Sequence, residues 1–384
     1  MKAVPVPVRE ATPTGPSIDT RWRFARLLAA PHRLAFAAAA LLLAASALWW
    51  ALVLAARAAG VALPWAVPAP AAHGLLMALG FMPLFFIGFL FTAGPRWLGL
   101  PEVSAASLRW PVGLMVGGWA LVLPGFHLAA GLAAGGVAAV AVGWSLAWWR
   151  FVQLLRASRV PDRLHATLAA AAGGVGAAAL YFSMAALAVG DTTALRAATQ
   201  LALWGFVAPV FVIVSHRMLP FFTASAVPSV EAWRPNALLG LMLAALLAEL
   251  PFALAELWWW PLPPAARALQ AGLEAPAALL LLWLALRWGL AQSLKIRLLA
   301  MLHLGFVWLG VAFALAALSH ALMAWRGPEH SLGLAPLHAL TMGYLGSTVL
   351  AMATRVTAGH SGRALAADDL VWALFRVLQV AVLL

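Results

Sequence analysis

Long apolar runs, broken by short clusters of Arg, Pro and Gly, fill the chain from about residue 34 onward. They predict membrane-spanning helices at 34–56, 72–93, 108–123, 127–149, 165–189, 195–215, 236–258, 266–287, 297–321, 335–358 and 369–384. The runs are too long for barrel strands of about 10 residues, and in lipid only helices and closed barrels satisfy their own backbone. The fold class is all-α, a polytopic membrane helix bundle with about 11 spans. Residues 1–33 read as a basic cytoplasmic tail and 34–384 as a single transmembrane domain, with no soluble domain. The first run exceeds a signal-peptide core and is expected to stay as a span. The last run stops at Leu384, short of the roughly 20 residues needed to cross, so the chain is expected to be truncated there.

Composition narrows the chemistry. With 65% hydrophobic and 9% charged residues and no cysteine, disulfides, iron–sulfur clusters and thiolate metal sites are excluded, leaving His, Met and oxygen ligands. The net charge of +12 reads as topology rather than nucleic-acid binding. With the N-terminus inside, the cytoplasmic side holds 19 of the 24 Lys and Arg: Lys2, Arg9, Arg21, Arg23, Arg26, Arg33, Arg96, Arg109, the group from Arg150 to Arg163, Arg217, Arg234, the group from Arg287 to Arg297, Arg355 and Arg363. That bias follows the positive-inside rule. Trp49-Trp50 and Trp258-Trp259-Trp260 fall at outer ends and Trp148-Trp149 at an inner end, as interfacial anchors do.

An ionisable group inside a span is costly unless it meets a partner, a cavity or a cofactor. In Pro336–Arg363 an apolar helix carries His338 at one end, His360 past the other, and Arg355 between them. The second and tenth spans both run outside to inside, so His73 and His338 lie at matching depth below the outer surface. Two such imidazoles are candidate axial ligands of a b-type haem. Gly80 and Gly88 after His73, and Gly343 and Gly346 after His338, read either as a groove for a flat macrocycle or as sites of helix packing. His303 lies well inside the ninth span. His32 and His165 read as solvated residues of basic loops, His216 as the inner end of the sixth span, and His127, His320 and His330 as outer-end residues of open role. Glu249, two residues before Pro251, is a candidate proton-relay carboxylate or a partner for an arginine. Glu256 and Glu274, nearer span ends, carry no proton-path expectation.

The segments HGLLMALGFMPLFFIGFLFTAGPRWLG (73–99), HRMLPFFT (216–223), LHLGFVWLGVAF (302–313) and PLHALTMGYLGSTVLAMATRVTAGHSGR (336–363) resemble the NnrS family of haem- and copper-containing membrane proteins. The likeness extends over nearly the whole chain from about residue 70. It implies twelve spans and a role in the bacterial response to nitric oxide and nitrosative stress, alongside denitrification. It also implies haem b and copper as cofactors, nitric oxide as ligand, and an unidentified electron donor. His73, His303, Arg217, Arg355, His338 and His360 match the family's polar positions; His216 departs from it, since glycine is usual there. A weaker, fold-level resemblance to the catalytic subunit of haem–copper oxidases again points to His73 and His338 as haem ligands. The seventh span has no histidine, so an oxidase-type dinuclear centre cannot be assembled. For copper, His303, His360 and an outer cluster of His127, His320 and His330 all stay open.

Arg217 and Arg355 at inner ends read as lipid-binding or loop-ordering groups, since a span of about 30 Å separates them from an outer haem. Two functions compete. One is a haem and copper protein of the bacterial inner membrane that binds or processes nitric oxide or protects cellular iron, with redox turnover an open question. The alternative is a transporter or metal-trafficking protein with a path lined by His and Arg.

Overall fold

The structure, a computed structural model, describes residues 24–360 and 365–384. Lys2, Arg9, Arg21, Arg23 and Arg363 lie outside the described residues.

Among those residues nine helices are long and apolar enough to cross a membrane. They are α1 (Pro31–Ala58), α2 (Ala69–Trp97), α3 (Ala105–Leu128), α4 (Ala130–Ala157), α5 (Leu164–Val189), α6 (Thr192–Ala226), α7 (Asn236–Trp258), α8 (Pro264–Arg287) and α9 (Arg297–Arg326). Two further segments follow, α10 over 335–360 and α11 (Asp369–Leu383). No strand occurs among the described residues. The chain is thus an all-helical, multi-pass membrane protein.

Burial follows the pattern of side chains around each helix. Every residue from Phe81 to Phe91 in α2 is buried, as expected of a helix that is apolar all round. Its neighbour α7 buries only Leu239, Met242, Leu246 and Glu249, a single stripe at helical spacing. Glu249 therefore faces protein, while the rest of α7 faces outward.

The ends of the helices meet on two faces. His32 at the start of α1 touches His360 at the end of α10, and Trp50 near the end of α1 stacks on His73 near the start of α2. We call the face where α1 begins proximal and the other distal. Trp258, Trp259 and Trp260 are exposed at the distal end of α7, in keeping with an interfacial anchor.

Two helices contain π turns, Leu203–Val207 in α6 and Ala339–Gly346 in α10. The expected sixth span is longer than its apolar run suggested. Because α6 continues unbroken to Ala226, His216 and Arg217 sit inside a helix rather than at its end. The charged pair does not stop the helix because both side chains find partners in neighbouring segments.

Glycines in these spans serve packing. Gly88 receives the Phe36 ring and Gly343 the Trp308 indole, each closer than a Cβ would allow. The small-residue packing alternative holds at both positions, with no open macrocycle groove there.

Candidate functional site

The distal end of α2 is shaped by a strap. Proline at the first turn suits the start of a helix, and the preceding loop is held by Ala66 and Val67, whose amides donate to the Phe126 carbonyl. His127 completes the strap: its Nδ1 donates to the Pro64 carbonyl at 2.8 Å, and its Nε2 accepts from Trp49 Nε1 at 2.9 Å. Both ring nitrogens are engaged, which removes His127 from the ligand candidates. The strap presents His73 one turn into α2, stacked on Trp50 with ring centroids 4.0 Å apart. His338 sits just before the π segment of α10, near enough for its charge to act on the His73 ring. Tertiary structure thus brings together two residues separated by most of the chain.

All ten histidines lie among the described residues, and eight make a polar contact with a neighbour. Only His73 and His338 have no hydrogen bond or ion pair among the described residues. His73 Nδ1 is in addition buried without a partner. A π turn beside His338 fits the tendency of such turns to mark functional positions.

Three other groups lie toward the proximal face. His165 is 1% exposed and His216 wholly buried, which corrects the reading of His165 as solvated. Their contacts form one directed chain. Arg217 Nη1 donates to His165 Nδ1 at 3.5 Å, His165 Nε2 donates to His216 Nδ1 at 3.0 Å, and His216 Nε2 donates to the Pro235 carbonyl at 3.1 Å. The carbonyl only accepts, so it fixes both tautomers. Neither ring keeps a lone pair for a metal. Arg217 also pairs with Asp162 and lies over Trp97, so it orders the loop between α4 and α5.

His303 is fully buried, and its Nε2 donates to Thr223 Oγ1 at 2.8 Å, because that hydroxyl gives its own proton to the Leu219 carbonyl. Its Nδ1 therefore holds a lone pair, buried and unpartnered. Arg355 lies over the Phe222 ring on the same stretch of α6.

His32 and His360 form the third group, with ring centroids 4.6 Å apart. His32 is 2% exposed, against its expected solvated role, because α1 begins at Pro31 and packs this ring under the end of α10. His360 Nδ1 donates to the Val356 carbonyl and His32 Nδ1 to Thr92 Oγ1. Each ring keeps its Nε2 lone pair.

Toward the distal face, Glu249 does not pair with an arginine directly. It accepts from Gln270, which accepts in turn from Arg267, and Arg267 binds Glu256. Glu274 accepts from His320 Nδ1 at 2.9 Å. Of this set, sequence reasoning singled out Glu249 and missed Arg267, Gln270 and Glu274. The signal was present: 267, 270 and 274 share one helical face, as do 249 and 256.

A family model described as NnrS protein matches residues 26–384. The chain belongs to the NnrS family. No curated protein and no solved structure matches it. Membership suggests a role in the nitric oxide response. Among the described residues of this NnrS chain, no group of three or more His, Asp or Glu side chains is arranged to hold a metal. The sites open to a metal are therefore the unengaged nitrogens of His73, His338, His303, His32 and His360.

The occupancy of both His216 nitrogens gives a direct prediction. His216→Ala in the NnrS chain is expected to leave bound copper and haem per protein unchanged, while lowering stability by about 1–3 kcal/mol from the buried partners left unsatisfied. Metal analysis beside a thermal unfolding curve checks this; a loss of copper would place His216 among the ligands.

Proposed function

We propose that this chain is a haem- and copper-binding protein of the bacterial inner membrane, N-terminus cytoplasmic, that binds or processes nitric oxide under nitrosative stress. The observation that supports the haem reading is the state of the histidines: His73 and His338 lack hydrogen bonds while the other eight have polar partners. The donor set fits the group, since ligation needs neutral imidazole nitrogens with free lone pairs, and His73 Nδ1 is an orphaned buried atom. A bound haem supplies a redox-active iron that takes nitric oxide when an axial position is open.

The surrounding residues orient the ligands. Trp50 holds the His73 ring by stacking, and the His127 strap fixes the start of α2. For copper, His303 Nδ1 and the Nε2 atoms of His32 and His360 are the remaining imidazole donors, and neutral imidazole is a ligand that copper accepts. His303 and His360 are thus retained as copper candidates, with His32 added to the latter. Arg217 and Arg355 are assigned to holding the proximal ends of α6 and α10.

A reduced-minus-oxidised visible spectrum of the purified full chain, made with haem available and recorded before and after nitric oxide, tests the reading. Sharp b-type bands that shift with nitric oxide are expected. Bands that do not shift would assign a six-coordinate haem to electron transfer, whereas folded protein without haem bands would overturn the haem reading and favour transport.

A further inference from the structure

The groups on α7, α8 and α9 form a file. Glu256, whose side chain is 30% exposed, lies at the distal end of α7 and is bound by Arg267 near the start of α8. One turn deeper, Gln270 Oε1 accepts from Arg267 Nη1 at 3.1 Å, which turns its amide group toward Glu249, where Nε2 donates to Oε2 at 3.4 Å. Glu249 and Glu274 are in hydrogen-bond contact with each other. His320 on α9, 17% exposed at its side chain, donates from Nδ1 to both oxygens of Glu274 at 2.9 Å. At about 1.5 Å rise per residue, Glu274 lies about 15 Å from the start of α8, and Glu249 about 14 Å from the end of α7. That is the middle of a hydrocarbon core about 30 Å thick.

Two carboxylates have no donor between them unless one carries a proton. A hydrogen bond between Glu249 and Glu274 therefore requires a bound proton. The occupant is not a metal cation. Only two carboxylates converge there, and the buried Arg267 guanidinium already supplies positive charge to the same network. Arg267 also has Nε and Nη2 buried with no protein acceptor, donors that a small polar ligand such as water satisfies. That observation is independent of the carboxylates, and it makes the file accessible to the molecules that carry protons.

We propose that Glu249 and Glu274 form a shared proton-binding site at the membrane midplane, loaded from the distal face through His320. In the loading step the His320 Nδ1–H bond breaks as an O–H bond forms on Glu274. His320 is restored by a proton arriving at Nε2 from the distal side, so one proton crosses the imidazole and no electron moves. The charged groups in play are Glu249 and Glu256 on α7, Arg267 and Glu274 on α8, and His320 on α9. Arg196 on α6, which packs against α7, is exposed. The proposal stands apart from the haem reading and holds for protein purified with or without haem.

Infrared spectra of the full chain in lipid nanodiscs, recorded during exchange from H2O to D2O, test it. The expected result is a carboxylic C=O band that shifts in D2O, is lost in both Glu249→Gln and Glu274→Gln, and survives in the surface control Glu102→Gln. In His320→Phe the band is expected to remain and its exchange to slow by about ten-fold or more. Absence of the band from the unaltered chain, or its retention in both glutamine variants, would overturn the shared site; unchanged exchange in His320→Phe would overturn the route. The measurement on the unaltered chain decides the first point even where a variant fails to fold.

Discussion

Replacing His73 and His338 together with alanine is expected to abolish haem binding while the protein still reaches the membrane. Each single variant is expected to lower the haem content, since one axial nitrogen remains. The two rings are the histidines without hydrogen bonds, so their removal breaks no protein contact except the stacking of Trp50 on His73. That contact is worth about 0.5–1.5 kcal/mol, too little to unfold a bundle of this size. Haem per protein, measured as the pyridine haemochrome, separates ligand loss from misfolding when read beside the amount of detergent-soluble monodisperse protein. Full haem retention by the double variant would remove the pair as ligands. His127→Ala is the informative comparison, because it loosens the strap that carries His73 without removing a proposed ligand.

A second large effect is expected where α3 and α4 touch. A Cβ placed on Gly136 would lie 2.6 Å from the Gly118 carbonyl oxygen, and one on Gly118 would lie 2.5 Å from that of Gly136. Both obstacles are backbone and cannot rotate away, so the helices must separate along their closest line. Gly136→Ala is expected to cost about 1–3 kcal/mol or more, as overpacking does. Gly135→Ala, one residue away, meets nothing within 4 Å, and is expected to be neutral or stabilising by up to about 1 kcal/mol through helix propensity. Thermal unfolding of the two variants in the same detergent checks the contrast. Equal midpoints would mean that the close approach of α3 and α4 contributes nothing to stability.

Much of this fold was legible in the chain. Apolar length located the helices within a few residues, because the cost of an unpaired backbone in lipid leaves few alternatives. The ends were less legible. His32, His165 and His216 sit beside arginines, a local context that reads as a solvated loop, and yet all three are buried. Their partners, His360, Arg217 and the Pro235 carbonyl, are supplied mainly by other segments, and hydropathy along one segment is blind to them. The length of α6 was misread for the same reason. His216 and Arg217 interrupt its apolar run, but contacts with α5 and the loop ahead of α7 accommodate them within the helix.

The distal carboxylates show a different limit. The spacing of 267, 270 and 274 on one face of α8 was readable as helical periodicity, and Glu249 lies in the buried stripe of α7. What no single helix carries is that these two faces oppose each other with His320 between them.

By itself, then, the sequence determined an all-helical membrane protein, the approximate positions of its spans, the exclusion of thiolate chemistry, and the pairing of His73 with His338 by depth. These follow from properties that act along one helix: hydrophobic length, rise per residue and the bias of positive charge. Tertiary structure decided which histidines keep a free nitrogen, which arginines order loops, and that Glu249 meets Glu274. Those outcomes depend on distances of about 3 Å between side chains on different helices, and a hydrogen bond of that length is set by how helices rotate and pack against one another.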